Sequence, residues 1–146
     1  MGCVMTKMVI FLLFFIIGSA LTVNAAEMNL ESKTVSGGEL SDGDVIATGR
    51  VFCERGKVSR VSLLNIRTED KNYGNVYSLQ GRNRATNKLI VRLDGDGWNS
   101  LGDAGNGVHK TLTNNNDRFY VVVNGRQNVN SDTYTIRASS TCSHSR

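Results

Sequence analysis

Two stretches far apart in the chain alternate apolar and polar residues, and each ends in a cysteine. In DVIATGRVFC, residues 44–53, Val45, Ala47, Val51 and Cys53 share one parity, with Thr48 and Arg50 on the other. In DTYTIRASSTC, residues 132–142, Tyr134, Ile136, Ala138 and Cys142 align, while Thr135, Arg137 and Ser139 face away. A period of two is that of a strand with one buried face. Each cysteine therefore sits on the inward side of its own strand. A bond between two inward faces fits two sheets packed over a common core.

The rest of the chain agrees. EMNLES (27–32), KVSRVSLLN (57–65), NVYSLQ (75–80), KLIVRL (88–93) and DRFYVVV (117–123) read as further strands. The last is a continuous apolar run, which suits a central position. Turn formers separate them: Gly37-Gly38, Ser41-Asp42-Gly43, Asn72-Tyr73-Gly74, Asn114-Asn115-Asn116 and Asn124-Gly125. Beyond the N-terminal segment no stretch has helical periodicity, and no linker or repeat divides the chain. Short strands at close spacing predict an all-β sandwich in one domain.

The N-terminal segment follows a different grammar. Lys7 is the only charge before Glu27, and the apolar run MVIFLLFFIIGSALTV follows it. Val23 and Ala25 then supply small residues at the −3 and −1 positions of a cleavage site. This reads as a signal peptide, residues 1–25, removed to leave residues 26–146. The apolar run is short for a membrane span, which needs about 20 residues. Cys3 and Lys7 leave with the signal. Sixteen basic and thirteen acidic residues remain, a net +3 that is far from the dense basic stripe of a nucleic-acid binder. Export to an oxidising compartment makes one disulfide between Cys53 and Cys142 the economical reading.

The sites that might carry chemistry are few. DGDGW, residues 94–98, begins as calcium loops do, but an EF-hand started at Asp94 would place Gly at position 4 and Gly105 at position 12. A turn is the stronger reading, with Trp98 covering a core edge. His109 and His144 are the two histidines, and neither lies near a nucleophile motif such as G-x-S-x-G. No paired C-x-x-C, H-E-x-x-H or phosphate loop occurs, so no catalytic residue, metal or cofactor is implied. Arg50, Arg55, Lys57, Arg60 and Arg67 form one basic group and Arg82, Arg84, Lys88 and Arg92 a second. They read either as a patch for an acidic partner or anionic glycan, or as solvated outer faces of strands. Leu93-Asp94-Gly95 is similar to short integrin-binding tripeptides, a match small enough to arise by chance.

LSDGDVIATGRVFC (40–53), DGDGW (94–98) and SDTYTIRASSTC (131–142), with the mature start AEMNLES (26–32), together resemble the Dr/Afa-type invasin subunits. These are minor, tip-located subunits of chaperone–usher fimbriae and afimbrial sheaths in enteric bacteria. The minor subunit of aggregative adherence fimbriae belongs among them. The most specific element is DG-x-x-IATGR-x-x-C. The resemblance covers nearly all of residues 26–146. It implies an incomplete immunoglobulin-like β-sandwich that lacks its last strand and is completed by donor-strand addition.

On that reading the partners are a major fimbrial subunit giving the donor strand, a periplasmic chaperone, an outer-membrane usher and a host cell-surface receptor, integrins among the candidates. The expected location is the cell surface, at the fimbrial tip, with secretion as a further route. No strand follows residue 142, so one edge of residues 133–142 is expected to lack a partner from its own chain. Tyr134, Ile136 and Ala138 should line the groove between that edge and the first strand, near residues 28–35. A donor segment of about ten residues ahead of the first strand is missing, so the chain accepts a strand without giving one. The resemblance carries over no receptor-contact residue. A self-contained secreted β-sandwich that binds a glycan stands as the alternative. A small secreted hydrolase or toxin, built on His109 or His144, is a third reading.

Overall fold

The computed structural model describes residues 25–64, 66–67, 74–100 and 107–144. Residues 1–24, and with them nearly all of the expected signal peptide, lie outside the described residues. Among the described residues twelve strands run in chain order: β1 (Ala25–Val35), β2 (Gly38–Leu40), β3 (Val45–Phe52), β4 (Val58–Leu63), β5 (Ile66–Arg67), β6 (Val76–Gln80), β7 (Lys88–Asp94), β8 (Asn99–Ser100), β9 (Val108–Thr111), β10 (Asn116–Val123), β11 (Gln127–Val129) and β12 (Asp132–Ser143). Among the described residues there is no helix. The strands form two five-stranded sheets, ordered β1-β12-β4-β9-β8 and β3-β10-β7-β6-β5, with β11 and β2 paired beside them. All pairings are antiparallel. This is the all-β sandwich that the alternation predicted, in the immunoglobulin-like form that the resemblance implied.

The core is the sum of the inward parities. Tyr134, Ile136 and Ala138 of β12, Val61 and Leu63 of β4, and Val108 of β9 come from one sheet. Val51, Phe119, Val121, Leu89, Val91, Leu93, Tyr77 and Leu79 face them from the other. β10, the apolar run, lies between β3 and β7 as a central strand should. Its Phe119 sits opposite Gly49. A Cβ at Gly49 would lie 2.2 Å from the Phe119 ring, so only glycine leaves room for it.

One expectation of parity fails at the start of β3. Val45 is 58% exposed and Ile46 is 6% exposed, the reverse of strict alternation from Cys53. The cause is a bulge: Ala47 pairs with Val121 but Val45 pairs with Val122, leaving Ile46 as the extra residue. An inserted residue flips the sides that follow it, so Val45 turns outward.

Cys53, immediately after β3, is bonded to Cys142 in β12, with 5.8 Å between their Cα atoms. The bond joins the two sheets and closes a loop of 89 residues in sequence separation. Loop-closure entropy for that length corresponds to about 4–5 kcal/mol. The double variant Cys53→Ser/Cys142→Ser should lose stability of that order, read as a lowered urea midpoint with a steeper transition slope, because the unlinked denatured chain exposes more surface.

Candidate functional site

The site that assembly would use is the strand β12 and its two edges. One edge is held by the rest of the sandwich. Ala138–Ser143 pair with β4, the Leu64 amide donates to the Arg137 carbonyl at 2.9 Å, and Gly81 bridges to Tyr134. The opposite edge was expected to be bare, and it is not. β1 runs antiparallel along it from Ala25 opposite Thr141 to Val35 opposite Asp132, with an irregularity between Asn29 and Glu31. An apolar strand edge with unpaired amides is a liability. In a single chain the free N-terminal strand is the segment able to satisfy it. Tyr134, Ile136 and Ala138 are all 0% exposed and sit on the inward face of β12 beneath this pairing. On the other sheet, among the described residues, β3 pairs with β10 alone.

The N-terminal end of β12 is pinned by Asp132, a residue for which strand alternation predicts no role. Its carboxylate accepts hydrogen bonds from the Asn83 amide at 3.0 Å, the Arg84 amide at 3.1 Å, Asn87 Nδ2 at 3.0 Å and the Thr133 amide at 2.6 Å. A Cβ on Gly81 would collide with it. The donors hold the carboxyl at a pKa of about 2. The Asn83 amide contributes most, Asn87, Thr133 and the Arg84 amide add to it, and burial opposes them. Beside it the Tyr134 hydroxyl donates to the Asn130 carbonyl at 3.0 Å. Burial, with the Asp132 charge adding, pushes the Tyr134 phenol above its ordinary range. The hairpin around residues 81–87 is thereby fastened to β12. The sequence signal was a lone Asp at a strand start, which is indistinguishable from any turn residue.

The 94–98 segment is a turn. Gly95 and Gly97 both take positive φ, and the Trp98 amide donates back to the Gly95 carbonyl at 3.2 Å. Asp94 is spent on the Gly95 amide and on Arg92, at 2.8 and 3.4 Å. Trp98 folds inward: its ring meets Phe119 edge-on with centroids 6.3 Å apart, and its indole N–H donates to the Arg118 carbonyl at 2.8 Å. A side chain on Gly95 would strike the Trp98 ring. Leu93 is 1% exposed, so Leu93-Asp94-Gly95 is not displayed whole at the surface.

The two basic groups do not merge into one patch. Arg50 lies on β3 in one sheet and Arg60 on β4 in the other. Lys57 is paired with Glu54 and Arg92 with Asp42. Arg82 reaches Thr135 on β12 at 3.3 Å. His109 lies in β9 opposite Arg60 and Asn99, while His144 follows β12 and is exposed. Among the described residues no three His, Cys, Asp or Glu side chains converge as metal ligands.

Comparison with known proteins points one way. The family model described as Enterobacteria AfaD invasin protein matches residues 36–140. Protein AfaD of Escherichia coli is 32% identical over 119 residues, spanning 81% of this chain and 80% of that protein. The crystal structure of the Salmonella SafD adhesin superposes with a TM-score of 0.71 at 25% identity, covering 83% of this chain and 85% of that one. HdaB, the minor tip subunit of the E. coli Hda pilus, gives 0.70 at 30% identity over 83% and 84%.

The Asp132 anchor has a pH signature. Its folded pKa of about 2 lies below the ordinary value of 3.8. The stability it supplies is therefore present above about pH 4 and is lost as pH falls through about 2. Asp132→Asn should be less stable than the parent at pH 7, with the gap between their urea midpoints closing towards pH 2. A gap of equal size at both ends of that range would refute the assignment.

Proposed function

The chain belongs to the enterobacterial AfaD invasin family, and from that premise we propose that it is the tip-located minor subunit of a chaperone–usher fimbria or afimbrial sheath. Its work is adhesion to, or invasion of, host cells, by binding rather than by catalysis. Residues 1–25 direct export through the periplasm and are removed. A periplasmic chaperone and an outer-membrane usher handle the chain on its way to the cell surface. The similarity to a minor tip subunit of the Hda pilus supports the tip position.

The observation that carries this reading is the occupant of the outer edge of β12. Strand addition at an exposed sheet edge supplies main-chain hydrogen bonds along its length and apolar contacts from alternate side chains. The whole length of that edge, opposite residues 132–141, is taken by β1. The family match begins at residue 36, just past the end of β1, so the matched sandwich is the part that would receive a strand. β1 stands in for a donor, and a strand of the major subunit replaces it over Tyr134, Ile136 and Ala138. Among the described residues β3 has no partner on its outer edge, where the first strand of an immunoglobulin-like sandwich ordinarily pairs. That edge is the place to which β1 can move.

Thermal unfolding of the exported chain, with and without residues 26–35, tests this. A donor segment that buries about five alternating apolar side chains supplies several kcal/mol at about 25 cal/mol/Å². Deleting residues 26–35 should lower the melting temperature by about 10 °C or more. Fusing the major subunit's donor segment behind a short linker should restore it and exceed the parent. A shortened chain as stable as the parent, and unmoved by the donor, would replace this reading with the self-contained sandwich.

A further inference from the structure

The outward face of the β3–β10 pair carries two guanidiniums set against each other. Arg50 and Arg118 are direct partners in the antiparallel register, and both are exposed. Like charges in that relation destabilise a strand pair. The neighbouring carboxylates relieve it only in part: Asp117 attracts Arg50, as the least of its partners. Asp117 is taken by Lys110 at 2.5 Å, and that bond, foremost among its partners, holds its carboxyl below the usual range. Among the described residues no ion pair joins Asp96 to either arginine, and the Arg118 guanidinium has no hydrogen-bonded partner. Arg50 gives one N–H to Asn116 Oδ1 at 2.5 Å.

These groups line a cleft of about 290 Å³, which Asn114, Asp96 and Tyr120 complete. Its frame is rigid. The Arg118 carbonyl is held by the Trp98 indole, and the Asp96 carbonyl by Lys110 Nζ at 2.8 Å. Phe52, two residues along from Arg50 on the same outward face, is 72% exposed.

We propose that this cleft binds a carboxylate-bearing sugar ring, of the sialic or uronic acid type. The carboxylate supplies the anion that the opposed guanidiniums lack, accepting paired N–H donors from Arg118 and Arg50. Ring hydroxyls donate to the Asp96 carboxylate and exchange hydrogen bonds with Asn114 and Asn116. Tyr120 offers an aromatic wall for the apolar edge of the ring. The volume is at the lower end for ligand pockets, which start near about 300 Å³, and suits one ring. The unpaired Asp96 beside the arginines repels additional negative charge, which selects a singly charged sugar over a polyanion or an acidic peptide. The inference rests on the adhesive reading only for where such a sugar would be met. The cleft lies on the sheet opposite β12, so its failure and that of the assembly reading are separable.

The test is ¹⁵N-NMR titration of the exported chain with 3′-sialyllactose, glucuronic acid, lactose and a short glutamate-rich peptide. The acidic sugars should shift the amides of residues 50, 116, 118 and 120 saturably, and lactose should not. Arg118→Ser should weaken binding at least about tenfold, as expected for a charge-assisted hydrogen bond. Because it relieves the Arg50 opposition, it should leave the melting temperature unchanged or raised. Arg118→Lys keeps the charge but loses the planar fork and should also weaken binding. Equal shifts with lactose, tighter binding of the peptide at the same amides, or undiminished binding by Arg118→Ser would each overturn the proposal.

Discussion

The ladder along β12 is the interaction on which the rest of the structure depends. This strand is twelve residues long and joins β1 to β4 in its sheet. Its two ends are fixed by different means: Asp132 fastens one to the 81–87 hairpin, and Cys142 fastens the other to the end of β3. Its inner edge is held by β4 and by the backbone bonds at residues 81, 82 and 64. Only the outer edge depends on a terminal segment, β1. With both ends and one edge secured, β12 is held independently of its outer partner, as the proposed exchange of that partner needs. Strand exchange without global unfolding requires that division.

The sheet architecture was legible because alternation and burial are the same physical fact seen at two levels. Residues 117–123 and 88–93 became central and inner strands as their apolar content required. What alternation cannot show is where it slips. The bulge at Ile46 arises from pairing with β10, so nothing within residues 44–53 announces it. The short strands β2, β5, β8, β9 and β11 were not foreseen, since two to four residues carry no usable period. The disulfide was readable from parity and compartment. The partner of the outer β12 edge was not, because EMNLES fits either side of the sandwich equally well by pattern, and only competition between free edges decides it.

The candidate sites divide along the same line. DGDGW could be separated from a calcium loop by counting positions, and glycine chemistry predicted the turn. The consequence of the turn was hidden: its tryptophan reaches twenty residues away to hold the carbonyl of Arg118. Likewise Arg50 was visible as one of several basic residues, but its opposition to Arg118 exists only through the β3–β10 register. Asp132 was missed for a related reason. A carboxylate earns its role from the donors that converge on it, and three of its four come from residues 83–87.

The two working regions occupy different sheets, and the energetics explain why they can. An edge that trades one strand for another must sit where its loss is local, which the pinning of β12 achieves. A binding face must instead be rigid before its ligand arrives, since ordering it at the moment of contact costs affinity. The outward side of β3 and β10 meets that need, being backed by Phe119, Val121 and Val51 and tied through Trp98 to the 94–98 turn. An unfavourable Arg50–Arg118 pair costs at most about 1 kcal/mol there. That is a small fraction of what the core and the inter-sheet bond supply. The fold can thus tolerate a destabilising charge arrangement on one face, while the outer edge of the opposite sheet is covered by β1, a single terminal strand.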